Sequence, residues 1–326
     1  ISLEINEMQR RMQVGSGSTD GQTTVVQVLG SVLDRDLVRR TIDKHDVEVI
    51  YHAAAYKHVP IVEMNPSVGL RNNLFATLVV AEAARDAGVQ RFVLISSDKA
   101  VRPTNVMGAS KRLAELILQA LAEDPSKTTF TMVRFGNVLD SSGSVVRLFR
   151  NQIKAGGPVT VTHPDVIRYF MSIPEAAQLV IQAGAMAEGG EVFVLEMGTP
   201  VKVDDLARTM IRLSGLEVKD QDHPEGDVEI RYIGLRPGEK LFEELLIGED
   251  ATGTDHPRIF KTSEPVLAYE DLVAALQRFE KAIASNDLTE VQAMLRATVE
   301  GYAPGSAAAA TAPGTDEWQP QSQTLH

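Results

Sequence analysis

The stretch Ile95 to Lys111, reading ISSDKAVRPTNVMGASK, holds the densest set of side chains able to do chemistry. Ser96 ends an apolar run, Arg91 to Ser96 (RFVLIS), and Ser97, Asp98 and Lys99 follow at once. A continuous apolar run of this kind predicts a strand buried on both faces of a parallel sheet. Open α/β sheets bind their ligands at the carboxyl edge of such strands. Asp98 and Lys99 are an ionisable pair able to act as acid and base together. A lysine serves as a base only when burial or a neighbouring cation depresses its pKa. Met107 and Lys111 lie four apart at the start of the next helix and so project from one face. The Met107 thioether cannot exchange a proton. Alone, this spacing says nothing, and Ser97-Asp98 would merely cap a turn. A functional site is read from the buried strand, the Ser-Ser-Asp-Lys at its end and the Pro103-Thr104-Asn105 turn together.

The elements that must position these residues alternate. Helices are expected over Asp34–Lys44, Asn73–Ala87 (closed by Gly88), Asn105–Leu121 and Pro174–Met186. Strands are expected over Val47–His52, Arg91–Ser96, Phe130–Phe135 and Glu191–Glu196, with a β-rich run at Thr23–Leu29. This is the pattern of an α/β fold, a Rossmann-type doubly wound parallel sheet. Past Pro200 the pattern changes: Val203–Gly215 and Ala268–Thr298 read as helical, with short strands near Val228–Tyr232. The expected division is a dinucleotide-binding domain over 1–200 with a substrate-lobe insertion near 140–170, a smaller substrate lobe over 201–300, and a disordered Ala/Pro/Gly/Thr/Gln-rich tail over 301–326.

The 326 residues are 44% hydrophobic and 23% charged, with a formal net charge of -12. No basic stripe is present to neutralise nucleic-acid phosphates, so a nucleic-acid partner is not expected. With no cysteine, disulfides, thiolate metal sites and a cysteine nucleophile are excluded, and no metal site is expected. No run approaches the roughly 18 apolar residues of a membrane span, and no signal peptide opens the sequence. The residues present read as soluble and cytoplasmic. Ile1, Leu3, Ile5, Met8 and Met12 have helical spacing, followed by a loop over Gly15–Gly21. Gly15-Ser16-Gly17 is no phosphate loop, because it follows a helical pattern and precedes a strand pattern. The first strand, the glycine loop, the first crossover helix and the second strand are therefore expected upstream of Ile1, and the chain as written is expected to bind a dinucleotide weakly.

Three stretches carry a resemblance: HAAAYKHVPIVEMNP (His52–Pro66), LISSDKAVRPTNVMGASKR (Leu94–Arg112) and RFGNVLDSSGSVV (Arg134–Val146). With LRPGEKLFEEL (Leu235–Leu245), the sequence from Ile1 to about Leu246 resembles the nucleotide-sugar 4,6-dehydratases of the polysaccharide biosynthesis group, many of which act on UDP-N-acetylglucosamine. These are extended short-chain dehydrogenases. Met107 stands where their relatives keep a catalytic tyrosine and is typical of a subgroup that includes larger, membrane-tethered members. Any tether here would lie upstream of Ile1.

The resemblance implies oxidation of the sugar at carbon 4 by NAD (NADP not excluded), loss of water across carbons 5 and 6, and hydride return to carbon 6. It implies Asp98 as the acid on the leaving hydroxyl, Lys99 as the base at carbon 5, Ser97 on the carbon-4 oxygen and Lys111 on the nicotinamide ribose. Ala53, Ala54 and Ala55 would let the cofactor approach the backbone. Ser31 stands where the family usually has an aspartate on the adenine. Asn73 would brace the site or cap a helix. Lys57 and His58 follow near the site, and His58 reads equally as a surface-loop histidine. Asn137, Arg168 and Arg236 would meet the substrate diphosphate, since guanidinium suits phosphate, although either arginine could be a surface charge; Glu239 would meet the uridine ribose. The expected partners are a nucleotide sugar and further copies of the chain. The competing functions are a 4-epimerase on the same fold, which normally needs the missing tyrosine, and an inactive binding module.

Overall fold

The computed structural model describes residues 24–123, 127–243 and 251–305. The helix expected over Ile1–Met12, the Gly15–Gly21 loop and the tail beyond 305 lie outside the described residues. The chain runs α1 (Arg35–His45), β1 (Val49–His52), α2 (Val59–Met64), α3 (Pro66–Leu70), π-helical winding over Arg71–Phe75, α4 (Ala76–Ala87), β2 (Arg91–Ile95), α5 (Val106–Ala122) and β3 (Thr129–Arg134). It continues through β4 (Asn137–Val138), α6 (Val145–Lys154), β5 (Val159–Val161), β6 (Ile167–Arg168), β7 (Phe170–Met171), α7 (Ile173–Met186), β8 (Val192–Leu195) and β9 (Val201–Lys202). Then come α8 (Val203–Leu213), β10 (Val218–Lys219), β11 (Val228–Tyr232), β12 (Thr252–Gly253), β13 (Ile259–Thr262), α9 (Tyr269–Ala284) and α10 (Leu288–Thr298).

Among the described residues the main sheet has the order β1-β2-β3-β8-β13-β12. β1, β2, β3 and β8 are parallel, and β13 is antiparallel to β8. The apolar centre of β2 is buried at Phe92, Val93 and Leu94, with helices on both faces, as its composition requires. Helix α5 starts cleanly because Asn105 caps it, its Oδ1 accepting from the Gly108 amide at 2.8 Å. Glu63 of α2 accepts from the Val106 amide as well.

Every residue of α5 from Val106 to Leu121 is buried, between β3 and a layer formed by α2, α3, α4 and α9. Its polar residues must then find protein partners. Glu115 Oε1 accepts from Ser96 Oγ at 2.5 Å and from Arg134 Nε at 2.8 Å. Arg112 Nη1 lies 3.1 Å from Glu115 Oε2 and 3.0 Å from Glu264 Oε2, and Arg134 pairs with Glu264 as well. Two arginines and two glutamates thus form a closed, neutral set with Arg134 wholly inaccessible. Burial alone would push the Glu115 carboxyl up; Arg134 and Arg112 hold it below the usual carboxylate range.

Three expectations are corrected. Residues 24–29 form no strand and are exposed, because no described strand flanks the outer edge of β1 to pair with them. The segment Ala268–Thr298, expected to be helical, is two helices, α9 and α10, broken where Asn286 turns left-handed (φ 51°) and Asp287 caps the second. The 201–300 segment is not one substrate lobe. Its later part returns to the main domain: β13 pairs with β8, and α9 and α10 pack on α5 and α3. The lobe proper is the β10-β11-β5 sheet with α6 and α8.

Removing one partner of a buried ion pair strands the other charge. Glu115→Ala is expected to cost about 3–5 kcal/mol, read as a lowered urea midpoint; a loss below about 1 kcal/mol would show that the set is not holding α5 to β3.

Candidate active site

The carboxyl ends of β1, β2 and β3 open onto a cavity of about 420 Å³. Ala53, Ala55, Ser97, Lys99, Met107 and Lys111 line it. A second chamber of about 230 Å³ adjoins it, and Lys57, His58, Lys99, Asn137, Arg168, Arg236 and Glu239 line both. Residues predicted from distant parts of the sequence are thus brought together. Four are not in the walls: Asp98 and Asn73, which lie buried behind them, Ala54, and Ser31, which is exposed and accepts from the Leu33 amide at 3.2 Å.

Residues Asp98–Ala100 form one tight turn. Ser97 Oγ accepts from the Lys99 amide at 3.2 Å and donates to Asp98 Oδ1 at 2.9 Å. Gly108 lets α5 meet this turn, since a methyl group there would lie 2.1 Å from the Lys99 carbonyl oxygen. Asp98 is buried behind the wall, while Ser97 and Lys99 stand in it. Its Oδ2 has no hydrogen-bond partner among the described residues and lies near Gly136. Lys99 Nζ sits 3.0 Å from Asp98 Oδ1 and 3.4 Å from Glu243 Oε1. Burial pulls the Lys99 ammonium down, but Asp98 and Glu243 together raise it above its ordinary value. That is the reverse of the depression expected for a base, and the two carboxylates are the reason.

Lys111 behaves differently. Its Nζ donates to the Ile95 carbonyl at 2.9 Å, and burial lowers it to about 8 against the opposing effect of Glu115. Asn73 does not cap a helix, because α3 already leads into its winding. It ties the β1 exit to α5, accepting from the Tyr56 amide at 2.7 Å and donating to Tyr56 O and Ser110 Oγ, each at 2.9 Å. Buried at 2% exposure, it braces the wall from behind. His58 packs on Gly143, where a methyl would lie 2.3 Å from its ring. Burial and Lys57 push His58 down; burial and Arg147 push Lys57 down.

The two arginines separate. Arg168 is buried and committed to protein: its Nη1 and Nη2 donate to Leu241 O at 3.1 Å and Lys240 O at 2.7 Å, and it pairs with Glu239 and Glu243. The Arg236 guanidinium, exposed in both chambers, has no protein partner among the described residues. Glu239 shapes its own loop, accepting from Thr162 Oγ1, Arg168 and the Arg236 amide. Asn137 donates to the Tyr169 carbonyl at 3.3 Å. Sequence reasoning missed Glu243, although it stands in the quoted LRPGEKLFEEL stretch, and His52, whose ring is buried against Phe92 with Nε2 3.2 Å from Thr77 Oγ1. Among the described residues no cluster of His, Asp or Glu could hold a metal ion, and no helix is long and apolar enough to cross a membrane.

A parallel doubly wound sheet with a cavity at the carboxyl edge of its strands defines a Rossmann-type fold. The chain belongs to the family described as "Polysaccharide biosynthesis protein", which matches residues 2–264. It is 56% identical over 221 residues to the capsular polysaccharide biosynthesis protein CapD of Staphylococcus aureus, a match covering 68% of this chain and 36% of that one. It therefore spans about a third of the length of the first curated relatives it matches. It is 36% identical to the UDP-glucose 4-epimerase of Rickettsia massiliae, over 67% of this chain and 62% of that one. In fold it is similar to DesIV, a dTDP-glucose 4,6-dehydratase from Streptomyces venezuelae solved with NAD and TYD bound, at a TM-score of 0.62, 20% identity and 83% of each chain.

Two outcomes follow from these environments. Arg168→Ala strands buried carboxylates and is expected to cost about 3 kcal/mol in urea unfolding, whereas Arg236→Ala is expected to stay within about 0.5 kcal/mol; equal effects would contradict the assignment. Burial and then Lys111 hold His52 down at about 4, so folded His52 stays neutral while the unfolded chain protonates near 6.5. Its contribution is complete above pH 6.5 and is lost as pH falls toward 4, roughly 3 kcal/mol in all. His52→Gln should flatten that slope of unfolding free energy against pH, and an unaltered slope would assign it elsewhere.

Proposed function

We propose that the chain is the catalytic part of an NAD-dependent nucleotide-sugar 4,6-dehydratase of polysaccharide biosynthesis, acting on UDP-N-acetylglucosamine or a close relative. The observation that carries this reading is the Asp98–Lys99 pair at the end of β2, beside a cavity wall in which Met107 takes the place of a proton-exchanging tyrosine. Elimination of water needs an acid and a base beyond those that oxidise carbon 4, and this pair supplies them.

The residues fit a dinucleotide. Ala53 and Ala55 present little bulk at the sheet edge, and the Lys111 ammonium stands in the cavity wall beside them. When bound, NAD would supply the hydride acceptor for sugar carbon 4 and the hydride donor for carbon 6. The similarity in fold to an NAD-bound dehydratase supports this cofactor. Lys111 would bond the nicotinamide ribose. Ser97, already oriented by its bond to Asp98, would meet the carbon-4 oxygen. Asp98 would protonate the leaving hydroxyl, and Lys99 would take the carbon-5 proton in its neutral form, which its two close carboxylates oppose. The unpartnered Arg236 guanidinium, with Lys57 beside it in the walls, would meet the diphosphate. Arg168 would act by holding the loop that carries Arg236.

A 4-epimerase is the second reading, favoured by the identity to a UDP-glucose 4-epimerase. Epimerisation leaves carbon 5 untouched and has no use for Asp98 and Lys99. The two readings part in one assay. The full-length protein is incubated with UDP-N-acetylglucosamine and catalytic NAD in heavy water, and the sugar is examined by mass spectrometry. Loss of one water with deuterium at carbon 5 is expected. Isomerisation without mass change would establish the epimerase instead. Asp98→Asn should abolish water loss while leaving substrate binding; full activity in that variant would remove Asp98 from the reaction.

A further inference from the structure

We propose that Glu243 is a positioning residue that sets the charge of Lys99, and with it the availability of Lys99 as a base. The catalytic consequence rests on the function proposed above; the contact itself, a carboxylate against an ammonium, does not.

The loop carrying Glu243 is seated directly on the catalytic turn. Lys240 Nζ donates to the Val101 and Arg102 carbonyls at 3.2 and 2.9 Å. Asn105 Nδ2 and Thr104 Oγ1 donate to the Gly238 carbonyl at 3.0 and 3.3 Å. Gly238 has a positive φ of 73°, and a methyl there would lie 2.8 Å from Asn105 Cβ, so glycine is needed on both counts. From the other side, the Ile167 amide donates to the Leu241 carbonyl at 3.1 Å, and Arg168 grips Lys240 O and Leu241 O. The loop held this way delivers the Glu243 side chain, 4% exposed, to 3.4 Å from Lys99 Nζ and 3.5 Å from Arg168 Nε.

The charged groups around Lys99 come from several elements. Asp98 on its own turn and Glu243 on the loop favour the ammonium, while burial and Arg168 of β6 oppose it. Lys57 and His58 from the β1 exit, Lys111 from α5, and Arg236 and Glu239 from the loop complete the charged walls of the chambers. Cations outnumber carboxylates in these walls, so the two close carboxylates hold the proton on Lys99. Without the Glu243 charge, Asp98 alone faces the desolvation of the ammonium, and the neutral amine gains. The side chain stays anchored, because its 3.0 Å contact to Asp98 is untouched.

Competitive labelling reads this without turnover. The full-length protein is acetylated with trace acetic anhydride across a range of pH, and peptide mass spectrometry gives the rates at Lys99 and Lys111. In Glu243→Gln, Lys99 is expected to react roughly tenfold faster at a fixed pH below its midpoint, as for loss of one close opposite charge, with Lys111 unchanged. Glu243→Asp, whose carboxylate is one methylene farther away, should give an intermediate rate and serves if the glutamine variant is unstable. A wild-type Lys99 rate in these variants overturns the proposal, as does an equal acceleration at Lys111, which would mean general loosening. If labelling shifts as expected but the wild-type protein removes no water from UDP-N-acetylglucosamine, the Glu243–Lys99 assignment stands and the dehydratase reading fails. If turnover occurs, the acidic limb of its pH profile should move to lower pH in Glu243→Gln; an unmoved limb overturns the catalytic consequence.

Discussion

The buried set of Arg112, Glu115, Arg134 and Glu264 is the constraint around which the main domain is arranged. It joins three elements far apart in sequence: α5 through Arg112 and Glu115, β3 through Arg134, and the segment after β13 through Glu264. Charges in so dry a place are tolerated only when all are paired, so the three elements have one relative placement. Ser96 bonds Glu115, and the next residue, Ser97, caps the Asp98–Ala100 turn. The position of Asp98 and Lys99 is therefore inherited from an ion network one layer below the cavity.

The same chemistry is used in two ways above and below the cavity floor. Below it, every charge is matched and shut from water. In the walls, some charges are matched and some are left open. Arg168 spends its donors on carbonyls and carboxylates of the 239–243 loop. Arg236, in the same loop, has no partner for its guanidinium among the described residues and lies at the junction of the chambers. One arginine ties the loop down, and the other, in the same loop, stands open to the chambers. Asp98 shows the same division within one carboxylate, one oxygen held by Ser97 and Lys99 and the other without a partner among the described residues.

Much of this was legible in the sequence because it is local. The RFVLIS run, the Asn105 cap and the Ser-Ser-Asp-Lys strand end state strand, helix and turn through neighbouring residues, and the structure places each within a residue or two of its expected bounds. Other features depend on what lies opposite. The Thr23–Leu29 run has strand composition, but a strand needs a ladder partner, and the described part of the run has none. The return of the C-terminal segment to the main sheet is a pairing of β13 with β8, which no local pattern announces. Arg168 and Arg236 look alike as letters; only the fold reveals which guanidinium is already occupied. Lys99 illustrates the limit most clearly. Its role as a base was inferred from its neighbours in sequence, yet its charge depends on Glu243, which arrives from the far end of the fold.

The coverage of α5 has a consequence for how the chain is made. Arg134 and Glu264 are separated by 130 positions, and α9, which covers part of α5, comes later still. During synthesis α5 and β3 leave the ribosome long before either. Throughout that interval neither Glu264 nor α9 is available to complete the surroundings that α5 has in the folded chain. The full enclosure of α5 therefore requires segments made well after α5 itself: Glu264 for its ion network and α9 for its outer face.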